Sequence, residues 1–229
     1  MCIRDRTKVP LLIGGNNLEA NAMFILGNKP ATVENLKAAA RNIFGDATDE
    51  LFKLYGLNTD ADVTGQPGNE LGGDCFLDYS TWKWGNMHKL TSGQPVYRYR
   101  YCHPRPDMLL KDKVAGLAGG VQDKTDDTPA APRATGAVHS ADIEYAMGTL
   151  PTNRVFDWQP EDYVVSDIFS NYYVNFVKTG NPNGLGLVDW PTTNGKSVAP
   201  VLQIDVNTFV KEDPNMEKRY ELMDKLFWK

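Results

Sequence analysis

From Val96 to Tyr101 the chain reads Val-Tyr-Arg-Tyr-Arg-Tyr, a strict alternation that a β-strand turns into three tyrosines on one face and two arginines on the other. A second strand signal lies upstream. Leu11-Leu12-Ile13 is a short continuous apolar run closed by Gly14-Gly15-Asn16-Asn17, as expected for a strand covered on both faces and ending in a loop. What separates the two runs is patterned as helix. Thr32 caps a helix through Val33 to Ala40, and Asp46 or Thr48 caps a second that ends at Gly56. A third is predicted from about Asp74 to Gly93, with Phe76, Tyr79, Trp84, Met87 and Leu90 on its apolar face. Beyond the tyrosine strand, residues 104–136 are rich in Pro, Gly, Asp and Lys and read as a long loop, either a functional lid or a disordered segment. A well-punctuated helix then opens at Pro160 with Glu161 and Asp162 in its first turn. It buries Val165, Ile168, Phe169, Tyr172 and Phe176 and stops at Gly180. Val201 to Ile204 reads as a final strand, and Asn215 to Trp228 as a closing helix with Met216, Tyr220, Met223 and Leu226 on one side. Strands that alternate with helices predict an α/β fold with a mostly parallel central sheet flanked by helices.

Composition narrows the function. With 229 residues, 41% hydrophobic and 23% charged, the chain can build a sizeable core as one large domain or two small ones. No apolar run reaches the roughly 18 residues that a membrane-crossing helix needs. A net charge of −5 gives no basic field to collect a phosphate backbone, which sets nucleic acid aside as a partner. The cysteines Cys2, Cys75 and Cys102 are too few and too scattered for a zinc site or a disulfide framework. At most one bridge, Cys75 to Cys102, is open to them, and an exported setting would favour it. The compartment stays open, with a secreted or periplasmic location set ahead of the cytoplasm. No metal or cofactor is implied. At the start, Met1 to Arg6 has neither a signal-peptide core nor any periodicity. Residues 1–8 therefore read as a non-native leader, similar to translated adapter sequence. The other reading is a short disordered native leader.

Acid–base chemistry near neutral pH points first to histidine. His139 ends the long loop in Gly136-Ala137-Val138-His139-Ser140-Ala141-Asp142-Ile143-Glu144-Tyr145, and loop positions held by a scaffold are where catalytic residues gather. A lone histidine among small residues is also a common structural residue, so both readings stand on this evidence. His88 reads as helix surface and His103 as loop. Glu19 lies just past the end of the first strand, where open parallel sheets place their sites, and so is a candidate for the acid that orients a histidine. Its other reading is a solvated partner of a helix dipole.

The segment Val9 to Phe24 resembles the acid segment of type-B carboxylesterases and cholinesterases, a strand, a turn and a glutamate followed by an aromatic residue. Gly136 to Gly148 resembles that family's histidine motif. Phe176 to Asn183 with Trp190-Pro191 is similar to its C-terminal helix end and Trp-Pro turn. The resemblance implies an α/β-hydrolase fold in which Glu19 is the catalytic acid and His139 the base, acting on a small-molecule carboxylic ester through an acyl-enzyme. Leu18 and Ala20 depart from the Asp and Gly that usually flank the glutamate. No Gly-x-Ser-x-Gly turn occurs in the sequence, and neither Ser140 nor Ser166 sits on a strand-to-helix turn that would replace it. Residues 9–229 are accordingly expected to be the C-terminal part of such a domain, carrying acid and base without the nucleophile and inactive by itself. Two other readings are a non-catalytic, neuroligin-like adhesion protein of the same fold and a standalone α/β binding module. The oligomeric state is left open.

Overall fold

The computed structural model describes residues 7–116, 120–125 and 134–228, so most of the expected leader lies outside the described residues. Strand β1 (Leu11–Asn16) and strand β2 (Val96–Tyr101) pair in parallel, from Leu11 opposite Val96 to Asn16 opposite Tyr101. The connection between them is helical: α1 (Met23–Leu26), α2 (Val33–Phe44), α3 (Thr48–Tyr55), α4 (Asp60–Thr64), α5 (Gln66–Gly73) and α6 (Tyr79–Ser92). A short hairpin of β3 (Lys113–Ala115) and β4 (Val121–Asp123) sits inside the long loop, whose residues 117–119 and 126–133 lie outside the described ones. After α7 (Ile143–Ala146) and α8 (Pro160–Thr179), strand β5 (Pro200–Ile204) joins β2 in parallel. Strand β6 (Phe209–Glu212) then turns back antiparallel to β5, and α9 (Pro214–Phe227) closes the chain. The sheet order is β1-β2-β5-β6.

The alternation in β2 decides the layering. Tyr97, Tyr99 and Tyr101 pack with Val165, Phe169 and Tyr172 of α8 and with Trp190. The rings of Tyr101 and Phe169 stack at 5.5 Å, and burying each such ring contributes roughly 1.5–3 kcal/mol. Arg98 and Arg100 point to the opposite face, under the helices of the β1–β2 connection and α9. That second layer has its own core of Leu36, Leu51, Leu71, Trp82 and Tyr220.

Helix ends follow from local chemistry. Thr32 accepts the Asn35 amide at 3.2 Å at the start of α2. At α8, Pro160 occupies the first turn, Asp162 accepts the Gln159 amide at 2.7 Å, and Gly180 ends the helix at φ 75°. Several expectations are corrected. Neither Asp46 nor Thr48 caps α3; Thr48 is its first residue, and its hydroxyl donates back to the Gly45 carbonyl at 2.7 Å. The helix expected from Asp74 is the end of a longer run that starts at α5 and passes through a π-helical turn at Asp74–Asp78. That turn inserts a residue and rotates the register. The buried stripe of α6 is Tyr79, Trp82, Gly85 and His88, while Trp84, five residues on from Tyr79 and so off its face, and Leu90 face solvent. His88, read as helix surface, is buried with Nε2 2.8 Å from the Val9 carbonyl. Val201–Ile204 is not the last strand, because β6 follows it; β6 is an edge strand, mostly exposed, with too few apolar residues to announce itself.

Cys75 and Cys102 are free thiols, so the bridge left open by the sequence is not formed. Burial pushes them up to about 12 and about 11, respectively. Among the described residues, no helix is long and apolar enough to cross a membrane.

Candidate active site

Strand β1 carries two glycines just before its last residue, where two close approaches meet. A Cβ on Gly14 would stand 2.4 Å from the Tyr99 carbonyl oxygen. One on Gly15 would lie 3.0 Å from Asp78 Oδ1 and 3.1 Å from Glu19 Oε1, so the bare backbone lets both carboxyl groups fold in against the strand. The turn that follows is closed by Glu19 itself, whose Oε1 accepts the Asn16 amide at 2.6 Å. Glu19 is 7% exposed.

His139 comes from a loop that is stitched to this turn. The Leu18 amide donates to the Ala137 carbonyl at 2.9 Å, and the Ala137 amide donates to Asn17 Oδ1 at 2.7 Å. Asn16 Nδ2 donates to the Val138 carbonyl at 2.7 Å and to Asp142 Oδ1 at 3.2 Å. Because position 18 contributes its backbone to the bridge with Val138, leucine serves there as well as a polar residue would. Ser140 takes φ +65°, and its carbonyl accepts Arg105 Nη2 at 2.5 Å. The same arginine pairs with Glu144 at 2.6 Å, which fixes the far side of the loop.

These contacts bring Glu19 Oε2 within 2.5 Å of His139 Nδ1. An ionised carboxylate only accepts, so in a neutral imidazole facing one the proton sits on Nδ1 and Nε2 keeps its lone pair. Nε2 has no hydrogen-bond partner among the described residues, and the imidazole side chain is 28% exposed. The Phe76 ring meets the imidazole edge-on at 5.2 Å and is met in turn by Phe24 at 5.3 Å, giving the pair an apolar flank. Beneath Glu19 lies Asp78, which Arg100 reaches at 3.2 Å. Burial pushes Asp78 up to about 7; Arg100 works against that shift, and Asp74 and Glu19 add to it.

Sequence reasoning missed Asn16, Phe76 and Asp78 as parts of this site. Asn16 is legible in retrospect as the polar stop of an apolar strand, whereas Asp78 carries no local signal. The Asn16 side-chain amide holds the histidine loop, so Asn16→Ala is expected to lower stability by about 2 kcal/mol in urea denaturation, the cost of losing both bonds and leaving partly buried acceptors unpaired. A loss below about 0.5 kcal/mol would contradict that role.

The other candidates are elsewhere. His103, read as a loop residue, is on a loop but buried between Asp162 and Asp205, 2.9 Å from each. Ser166 is buried in α8 and donates to the Tyr145 carbonyl at 3.0 Å. Among the described residues, no group of three or more His, Cys, Asp or Glu side chains is arranged to hold a metal ion.

Residues 1–228 match the sequence profile of the carboxylesterase family. The chain belongs to the carboxylesterase family. Carboxylesterase 4A of Bos taurus is 28% identical over 216 residues, which cover 88% of this chain and 34% of that protein. Acylcarnitine hydrolase of Mus musculus is 25% identical over 219 residues, covering 90% of this chain and 35% of that protein. The chain thus spans about a third of the length of these curated relatives. A thermophilic pNB esterase structure superposes with a TM-score of 0.56 at 20% identity, over 93% of this chain and 38% of that one. At that identity the likeness establishes the fold, and the carboxylesterase chain is part of an α/β-hydrolase fold.

Proposed function

We propose that this chain supplies the acid and base of a serine carboxylesterase acting on small-molecule carboxylic esters. The observation that carries the reading is the 2.5 Å contact of Glu19 with His139 Nδ1, which leaves Nε2 free to take a proton. In the proposed mechanism a serine from another part of a longer protein attacks the ester carbonyl while Nε2 removes its proton. Glu19 holds the tautomer and stabilises the imidazolium that forms. The imidazolium then returns the proton to the leaving alcohol, an acyl-enzyme remains, and a water activated by the same Nε2 releases the acid. Phe24 and Phe76 would favour an apolar group on the side of the ester that lies against them.

A longer reading frame that contains this chain together with a Gly-x-Ser-x-Gly turn is expected to hydrolyse p-nitrophenyl butyrate. The 229-residue chain alone is expected to turn it over no faster than buffer does. Turnover by the chain alone would place the nucleophile within it and overturn this division of roles. An inactive longer frame would move a non-catalytic binding role ahead.

A further inference from the structure

A cavity of about 570 Å³ lies beside the acid turn, between the arginine face of the sheet and the start of α5. Its wall includes Gly15, Asn17, Leu18, Asp78 and Gly136 but neither Glu19 nor His139, so it adjoins the proposed catalytic pair without containing it. Most of the charge on its wall is already balanced: Arg100 pairs with Asp78 at 3.2 Å, Arg219 with Glu70 at 2.6 Å, and Lys211 with Asp213 at 3.0 Å.

Arg98 is the exception. It is 7% exposed, and its Nη1 is buried with no hydrogen-bond partner among the described residues. Its ion-pair partner Glu217 stands 3.8 Å from Nη1, outside hydrogen-bond reach, and that carboxylate already accepts Trp82 Nε1 at 2.8 Å and the Ala199 amide at 3.2 Å. A guanidinium presents five donors in a fork, and a buried nitrogen left unmet is costly, so an acceptor from outside the chain that engages this group would be favoured. Burial also works against its charge. The first turn of α5 adds to the same wall through Gly65 and Gln66, bringing the positive end of that helix to the cavity.

We propose that this cavity binds a small oxyanion, a carboxylate or phosphate group, with Arg98 as its anchor and the start of α5 as a second donor. The planar guanidinium fork fits two oxygens of such a group. Inorganic phosphate and, separately, acetate titrated calorimetrically into the 229-residue chain in chloride buffer test it. Saturable one-to-one binding of either is expected, the two arms telling a phosphate group from a carboxylate. Arg98→Met should weaken it by about tenfold or more. Binding unchanged in that variant, or no saturable binding of either anion, would overturn the proposal. Should the variant not fold, the Arg98 Nε–H resonance of the unaltered chain gives the answer: a shift that saturates with the anion supports the site, and a resonance that does not move overturns it.

Discussion

In a serine-bearing, ester-hydrolysing form of this protein, His139→Ala is expected to lower kcat by about 10⁶-fold and Glu19→Gln by about 10⁴-fold, with KM little changed in either case. The asymmetry follows from the geometry. On the proposed mechanism, removing the imidazole removes the base that takes the nucleophile's proton. Removing the charge on Glu19 leaves the imidazole in place but withdraws what fixes its proton on Nδ1, the 2.5 Å contact with Oε2. The glutamine amide can still face the Asn16 amide through its oxygen, so the turn closed at 2.6 Å should persist and the variant should fold. Steady-state kinetics on the two variants, with their melting curves as a control, check this. A loss below about tenfold for His139→Ala would remove it from the chemistry.

The second large effect concerns stability and its pH dependence. His103 ties three distant segments together: Nδ1 meets Asp205 just after β5, and Nε2 meets Asp162 in the first turn of α8, each at 2.9 Å. Asp162 also accepts the Tyr145 hydroxyl at 2.6 Å. Burial disfavours the imidazolium, but the hydrogen bonds to Asp205 and Asp162 outweigh it and raise the histidine above its usual range. A raised histidine contributes stability that is fully present below its unfolded value of about 6.5 and is lost as pH rises through the folded value. The bond from His103 holds Asp205 below the usual carboxylate range. Its contribution therefore has the opposite sign: present above about 3.9 and lost as pH falls below that. His103→Gln is expected to cost about 3 kcal/mol near pH 6, at the low end for a broken buried pair because Asp205 is partly exposed. The cost should shrink toward pH 9, as the unaltered protein loses its own imidazolium. Urea unfolding at both pH values checks it, and an equal cost at both would show that the charge on His103 is not what holds these segments.

How much of this was legible depends on whether the signal was local. The tyrosine strand, the apolar run before Gly14 and the capped ends of α2 and α8 were readable because alternation, burial on both faces and capping are written in consecutive residues. The π-helical turn was not, since one inserted residue shifts a helical face without changing its composition; Trp82 rather than Trp84 is buried because it lies three residues on from Tyr79, on the same face. The partners of His103 are 59 and 102 residues away in the chain, so nothing around it distinguished a buried staple from a loop residue. Glu19 and His139 are separated by 120 residues. Each alone had an ordinary structural reading, and only the family resemblance singled them out together; Asn16, which joins their segments, lay within the quoted motif and was passed over.

The most direct test of the acid–base pairing is the proton itself, observed by nuclear magnetic resonance in the 229-residue chain with nitrogen-labelled histidine. A proton resident on His139 Nδ1, shifted well downfield of the backbone amides and lost in Glu19→Gln, is the predicted result. A proton found on Nε2 instead, or one unaffected by Glu19→Gln, would contradict the assignment of His139 as a base oriented by Glu19.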